Sequence, residues 1–220
     1  MNGADIRNLV ITKLEERSAF LSDNSNGPIL SGGDNLGELK PIYDYVDKQL
    51  PIAANEVLLS APLHKLYATA MPSPTSSPNT DGTGVITLPQ DFLRLHTLKM
   101  QEWSVPLHIA ISVDHPLYRH QLNKYTRGHK DKPVAVLNHI IQPLPEVEYN
   151  LLTYYSVENN HTVDKLWYIK EFEMADEFND TVAEMIALNC AKKIYEIYGN
   201  TEQVGLMTTE IQNVQNAMLL

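Results

Sequence analysis

The chain has 220 residues, with 27 Asp and Glu against 17 Lys and Arg, a formal net charge of −10, 8 His and one cysteine. That length suits one sizeable domain or two small ones, and a hydrophobic fraction of 43% is enough for a core and excludes wholesale disorder. A lone Cys190 excludes an intrachain disulfide framework and any multi-cysteine zinc or iron-sulfur site. No run reaches the roughly 18 to 20 consecutive apolar residues of a membrane span. Met1 to Phe20 alternates charged with apolar residues, unlike a signal-peptide core, so the expectation is a soluble protein made in the cytoplasm.

From Ala4 to Ser18, Ile6, Leu9, Val10 and Leu14 recur at helical spacing, which predicts a one-sided amphipathic helix. Leu21 to Gly37 is rich in Ser, Asn and Gly and reads as a long surface loop. Leu39, Ile42, Tyr43, Val46 and Leu50 resume helical spacing, with Pro41 suited to the first turn. Pro51 is expected to kink or end that helix, leaving a short further helix over Ala53 to Ser60.

The pattern then turns to strands. Leu63 to Ala68 and Val85 to Leu88 flank the Pro, Ser and Gly-rich stretch Met71 to Gly84, which predicts a hairpin with a long irregular tip. Phe92 to Met100 is a further strand whose alternation falters near Thr97, the mark of a bulge. His108 to Lys132 is polar and irregular. Val134 to Ile141 and Val147 to Tyr155 bracket Gln142 to Glu146 as a second hairpin, with Val147, Tyr149, Leu151 and Tyr155 on one face.

After Leu166, Trp167 and Tyr168 the chain returns to helix. Val182, Met185, Ile186, Ile194 and Ile197 stripe a helix over 179–198, beside a row of small residues, Ala183, Ala187 and Ala191, that lets another helix approach closely. Gly199-Asn200 stops it, and a last helix over 201–219 aligns Val204, Met207, Ile211, Val214 and Met218. The predicted fold is α+β: amphipathic terminal helices packed together (1–60 with the loop 21–37, and 157–220) around a β-rich middle (61–156), all in one domain.

No phosphate-binding glycine loop, G-x-S-x-G elbow, H-E-x-x-H or calcium loop is present. Cys190, four residues from both Ile186 and Ile194, reads as a packing cysteine rather than a nucleophile. His108, His115, His120 and His129 crowd one stretch at irregular spacing, which suits solvated loop histidines better than convergence on a metal.

Residues 171–220 hold nine acids against two bases, a net of −7. Glu173, Asp176, Glu177, Asp180 and Glu184 crowd the approach to and the first turns of the long helix, where anions are favoured by its dipole; paired carboxylates for general acid–base work or a hard cation are the second reading, and a partner with a basic surface is the third. Arg119, Lys124, Arg127, Lys130 and Lys132 reverse the sign, with Tyr118 and Tyr125 interleaved, and suit a solvated loop, a phosphate backbone or an acidic protein face. Opposite patches of this kind also suit neighbouring copies in a ring.

The most specific stretch is Ile86 to Leu95, in which a strand runs into Leu88-Pro89-Gln90-Asp91-Phe92-Leu93-Arg94-Leu95. Pro89 sets a turn, Asp91 can accept backbone hydrogen bonds, and Phe92 with Leu93 re-enters the core. This pattern resembles the head-to-tail connector (adaptor) proteins of tailed bacteriophages, which share the order of amphipathic helices, a β-rich centre with this motif, a strand with a Tyr-Tyr pair (here Tyr154-Tyr155) and terminal helices. The chain looks most like the neck ring proteins of crAss-like phages. It departs from them in the loop Leu21 to Gly37 and in the brevity of the tail after the last helix.

The resemblance implies a structural role for Leu88, Pro89, Asp91, Phe92, Leu93 and Arg94. It also implies a non-enzymatic virion protein of the phage neck, without cofactor or metal, forming a homo-oligomeric ring, typically of twelve subunits, beneath the portal protein. Such a ring binds the portal and other neck or tail ring proteins, and genomic DNA passes through it at ejection without specific binding. A tail-completion or stopper protein of the same neck is the alternative, and a small metal-dependent hydrolase using the carboxylates from Glu173 to Glu184 with the histidines from His108 to His129 is the reading from another class.

Overall fold

Asn2 and Asp5 open the first helix by capping each other. The Asp5 N–H donates to the Asn2 side chain at 2.9 Å, and the Asn2 N–H donates to the Asp5 carboxylate at 3.0 Å, a reciprocal cap of the capping-box kind. The computed structural model describes residues 1–20, 36–143, 146–155 and 162–219, so most of the loop predicted over 21–37 lies outside the described residues. The fold is α+β, and the chain divides into two compact units: Met1–Tyr67 with Phe172–Leu220, and Ala68–Glu171.

The first unit is helical. In α1 (Gly3–Phe20) Ile6, Val10 and Leu14 are buried and Leu9 half-buried. Helix α2 (Leu36–Ser60) starts early enough to put Pro41 in its second turn, and it runs through Pro51 without ending there. A proline inside a helix costs about 3 kcal/mol relative to Ala. Burial of Val46, Leu50, Val57 and Leu58 on the same helix, each worth roughly 1.5 to 3 kcal/mol, outweighs that cost, and 53–60 is the end of α2 rather than a helix of its own.

The strongest predicted helix is α4 (Asp180–Ile197), capped by Asn179, whose side chain accepts from the Thr181 N–H. Its buried residues, including Ala183, Ala187, Cys190 and Ala191, surround almost the whole helix, whereas Ile197 of the predicted stripe is exposed. A helix apolar on all sides belongs at the centre, and α4 packs against α1, α2 and α5 (Thr201–Met218). Gly199 at φ +69° makes the turn between α4 and α5, a conformation that glycine adopts at little cost. Polar ties cross the apolar seams: Arg7 to Asp47 in two contacts of 2.5 and 3.1 Å, Lys193 to Glu56 at 2.9 Å and Lys13 to Glu184 at 3.7 Å.

The second unit contains two sheets. One has the order β1 (Thr69–Ala70), β8 (Val163–Lys170), β4 (Phe92–Met100). The other runs β2 (Ser76–Pro78), β3 (Thr83–Thr87), β7 (Glu146–Tyr155), β6 (Val134–Pro143), β5 (Ile111–Ser112). Between β5 and β6, a single helical turn, α3, spans Tyr118–Gln121. Both sheets feed one core, with Ile86, Ala135, Leu152 and Tyr154 from the second and Phe92, Leu95, Leu98, Leu166 and Tyr168 from the first.

The predicted pairing of Leu63–Ala68 with Val85–Leu88 does not form. Leu63–Lys65 is a 3-10 turn, β1 pairs with β8, and β3 takes β2 as its hairpin partner, a strand cut from the stretch read as irregular. A short loop closes at less entropic cost than a long one. Asp81-Gly82 supplies it, with Gly82 at φ +79° and the Asp81 carboxylate accepting from the Thr83 N–H and hydroxyl.

Strands β6 and β7 pair antiparallel as expected, with Leu144 and Pro145 outside the described residues. Of the β7 residues expected on one face, Tyr155 is buried. Leu152 and Tyr154 are fully buried, Leu151 is only half-buried, and the Val147 and Tyr149 side chains lie outside the described residues. The register of β4 shifts between Leu95 and Thr97, where its alternation falters. Residues 163–170, expected within the C-terminal helical region, form the central strand of a sheet, with Leu166 and Tyr168 buried and Lys165 and Trp167 exposed.

Candidate functional site

The motif Leu88 to Arg94 is the joint between the two sheets. On one side the Leu88 N–H donates to the Asn150 carbonyl beside β7 at 2.8 Å, and its side chain is buried. Pro89 then turns the chain, its carbonyl accepting from the Phe92 N–H at 3.2 Å. On the other side Phe92 stacks on Tyr168 with ring centroids 5.8 Å apart. The Asp91 carboxylate accepts from the Tyr168 hydroxyl at 3.2 Å to each oxygen rather than from backbone amides, and it is the Asp91 carbonyl that accepts from the Glu171 N–H. Leu93 is half-buried, so Leu95 is the residue that follows Phe92 into the core. Burial lowers the Arg94 guanidinium from its ordinary value.

The basic stretch is an organised knob, not an irregular loop. Buried Gln121 holds it from within: its amide donates to the Leu117 carbonyl at 3.1 Å and accepts from the Gly128 N–H at 2.8 Å. The Thr126 hydroxyl donates to the His120 carbonyl, and the backbones of His129 and Lys132 bond reciprocally. Arg127 turns inward, its guanidinium donating to the carboxylate and the carbonyl of Asp81. Hydrogen bonds from Thr83, joined by Arg127, hold the Asp81 carboxyl below its ordinary value. Arg119, Lys124, Lys130 and Lys132 stay exposed, beside Leu117, Leu122 and Tyr125. A cavity of 440 Å³ lies among Leu117, His120, Gln121, Tyr125, Arg127 and His129.

Beneath the knob sits Tyr155. Burial raises its phenol above the ordinary value, with Tyr118 and Asp81 adding to the rise and Arg127 opposing it. The Tyr-Tyr pair therefore serves two faces of β7, Tyr154 in the core and Tyr155 toward the knob. Asp81 as the anchor of Arg127 escaped the sequence reading, although the Asp-Gly turn signal at 81–82 marks where a fixed carboxylate would stand.

The acidic residues are divided by structure. Glu173 and Asp176 share a tight turn, in which the Glu173 N–H donates to the Asp176 carboxylate at 3.1 Å. Glu177 bridges by backbone to Asn2. Only Asp180 and Glu184 lie within α4, so helix-dipole stabilisation explains those two and not the three before them. The segment is bound to the start of the chain through Gly3, whose N–H donates to the Met174 carbonyl at 3.1 Å. A Cβ at Gly3 would stand 2.7 Å from the Met174 Cα, and only glycine permits that approach.

The histidines do not gather as one group. The His108 ring bonds to the His96 carbonyl at 2.9 Å, and its ring lies 6.5 Å from that of His96. Burial, then His108, Lys165 and Arg94, lower His96 below its ordinary value. Among the described residues no three His, Cys, Asp or Glu side chains stand together as a metal site. Cys190 is fully buried, and burial pushes its thiol up to about 12. No described helix is long and apolar enough to cross a membrane.

No family model matches the sequence, and no curated protein matches it.

Proposed function

We propose that this chain is a structural ring subunit of a tailed-phage neck, bound beneath the portal and extending the DNA channel toward the tail. The observation that carries this reading is the joint at Leu88 to Arg94. The stretch most like the connector proteins is occupied in tying two sheets together through Leu88, Asp91 and Phe92, which is the work of a scaffold. The net charge of −10 also suits a channel component, because a wall without a surplus of Lys and Arg does not trap a polyanion that must slide past.

The test is reconstitution with the portal protein encoded in the same genome. Purified portal rings mixed with an excess of this chain should gain a coaxial ring in negative-stain class averages, at the end facing the tail. Portals that remain bare at saturating protein overturn the reading.

A further inference from the structure

We propose that the knob Leu117–Lys132 of one copy docks on the segment Glu173–Glu184 of a second copy, a head-to-tail interface between unlike patches. This deepens the ring-subunit reading, on which it rests, by assigning the surfaces that join neighbours. Charge is divided unevenly along the chain. Residues 68–171 hold nine Lys and Arg against ten acids, a net of −1, and the rest of the chain holds eight against seventeen, a net of −9. Five of those nine bases lie between Arg119 and Lys132, with Asp131 as the one acid among them.

Each patch also carries an apolar contact. On the knob, Tyr125 is 89%, Leu122 67% and Leu117 51% exposed. In the acidic segment, Met174 is 45% exposed between Glu173 and Asp176, and methionine adapts its shape to what packs on it. An aromatic anchor with bases around it is the composition of an interface centre and rim. Nucleic acid is the poorer occupant, since a phosphate backbone gives Leu117 and Leu122 nothing to bury against. The bonds of Gln121 and Arg127 already fix the knob, so docking orders little that was loose. An interface joining two different patches of one subunit repeats from copy to copy and closes into a ring when the rotation allows.

Two charge-reversed proteins test this: R119E/K124E on the knob, leaving Arg127 in place, and E173K/E177K on the acidic segment. In sedimentation velocity at low salt the wild type should self-associate with rising concentration, and added salt should weaken it. Each variant alone should need at least about tenfold more protein to associate, since like charges then face each other. An equimolar mixture of the two should recover association, because every interface in an alternating array is again of opposite sign; misfolded variants would not recover. Association unchanged by either reversal, or a mixture no better than its components, overturns the interface. Rings on the portal that still form with either reversed variant overturn the interface and leave the ring reading standing. A wild type that never associates, alone or on a portal, overturns both. A knob reversal that abolishes binding of a short DNA duplex and leaves self-association intact overturns the interface in favour of nucleic acid.

Discussion

Gly84 and Tyr154 are cross-strand partners in β3 and β7, and the phenol of Tyr154 occupies the space where any side chain at position 84 would begin. On its other flank Tyr154 pairs with Ala135 of β6. A fully buried tyrosine is therefore housed between two small residues. Gly84→Ala should destabilise the protein by roughly 1 to 3 kcal/mol through overpacking, read as a fall in denaturant midpoint. Tyr154→Leu in the same chain should make the combined loss smaller than the sum, because the two changes share one space.

The bond between Asp91 and the Tyr168 hydroxyl joins the motif to β8. Tyr168→Phe leaves the stack on Phe92 in place and deletes the donor to a carboxylate, a loss of roughly 1.5 to 3 kcal/mol. Asp91→Asn retains an acceptor and should cost less. A Tyr168→Phe variant as stable as the wild type would mean that the hydrogen bond contributes nothing beyond ring packing.

Cys190 links stability to alkaline pH. Its folded value is raised to about 12 from an ordinary 9.0, so between the two the native thiol keeps a proton that the unfolded chain has lost. The unfolded state then binds fewer protons, and stability falls as pH rises past 9.0, by about 1.4 kcal/mol per pH unit for this group. Cys190→Ala should flatten that limb of the stability curve. Native protein at pH 8 should also resist iodoacetamide until denaturant is added.

Pro51 is a cost that α2 tolerates. Its ring removes the N–H that would bond the Asp47 carbonyl, in a helix continuous from Leu36 to Ser60. Because Pro51 is exposed, Pro51→Ala disturbs no packing and should stabilise by up to about 3 kcal/mol. A higher Tm by calorimetry is the expected result; an unchanged Tm would mean that the helix gains no bond there.

Asp81 fixes the knob through Arg127. Asp81 is exposed, so Arg127→Ala, which leaves the Asp81–Thr83 bonds of the β2–β3 turn in place, should change global stability by no more than roughly 1 kcal/mol. Amide hydrogen exchange between Tyr118 and Gly128 should accelerate. Exchange unchanged in that segment would show that Gln121 alone holds it.

What could be read from the sequence follows from the kind of signal each element carries. The terminal helices were legible because Ile6, Val10 and Leu14, or Val182, Met185 and Ile186, keep their period over many turns, and β4 because its apolar residues run from Phe92 to Met100. The first hairpin was not, because Ser76 to Pro78 has no apolar face and is a strand only through the Asp81-Gly82 turn that folds it onto β3. β8 escaped because Leu166 to Ile169 is a continuous apolar run without strand alternation, and its partners β1 and β4 are distant in sequence. Of the candidate surfaces, charge sign was legible and rigidity was not: nothing in the spelling of 117–132 reveals that Gln121 points inward or that Arg127 is committed to Asp81.

The helical unit is built from both ends of the chain, with residues 68–171 inserted between its halves. A ribosome therefore releases α1 and α2 long before α4, the helix both pack against, exists. For more than a hundred residues of synthesis Ile6, Val10, Val46 and Leu50 have no core to enter, while the inserted sheets can already close on themselves. Newly made chains should then pass through a stage with one finished unit and two adhesive helices, a state that a chaperone or a neighbouring nascent chain would be the first to meet.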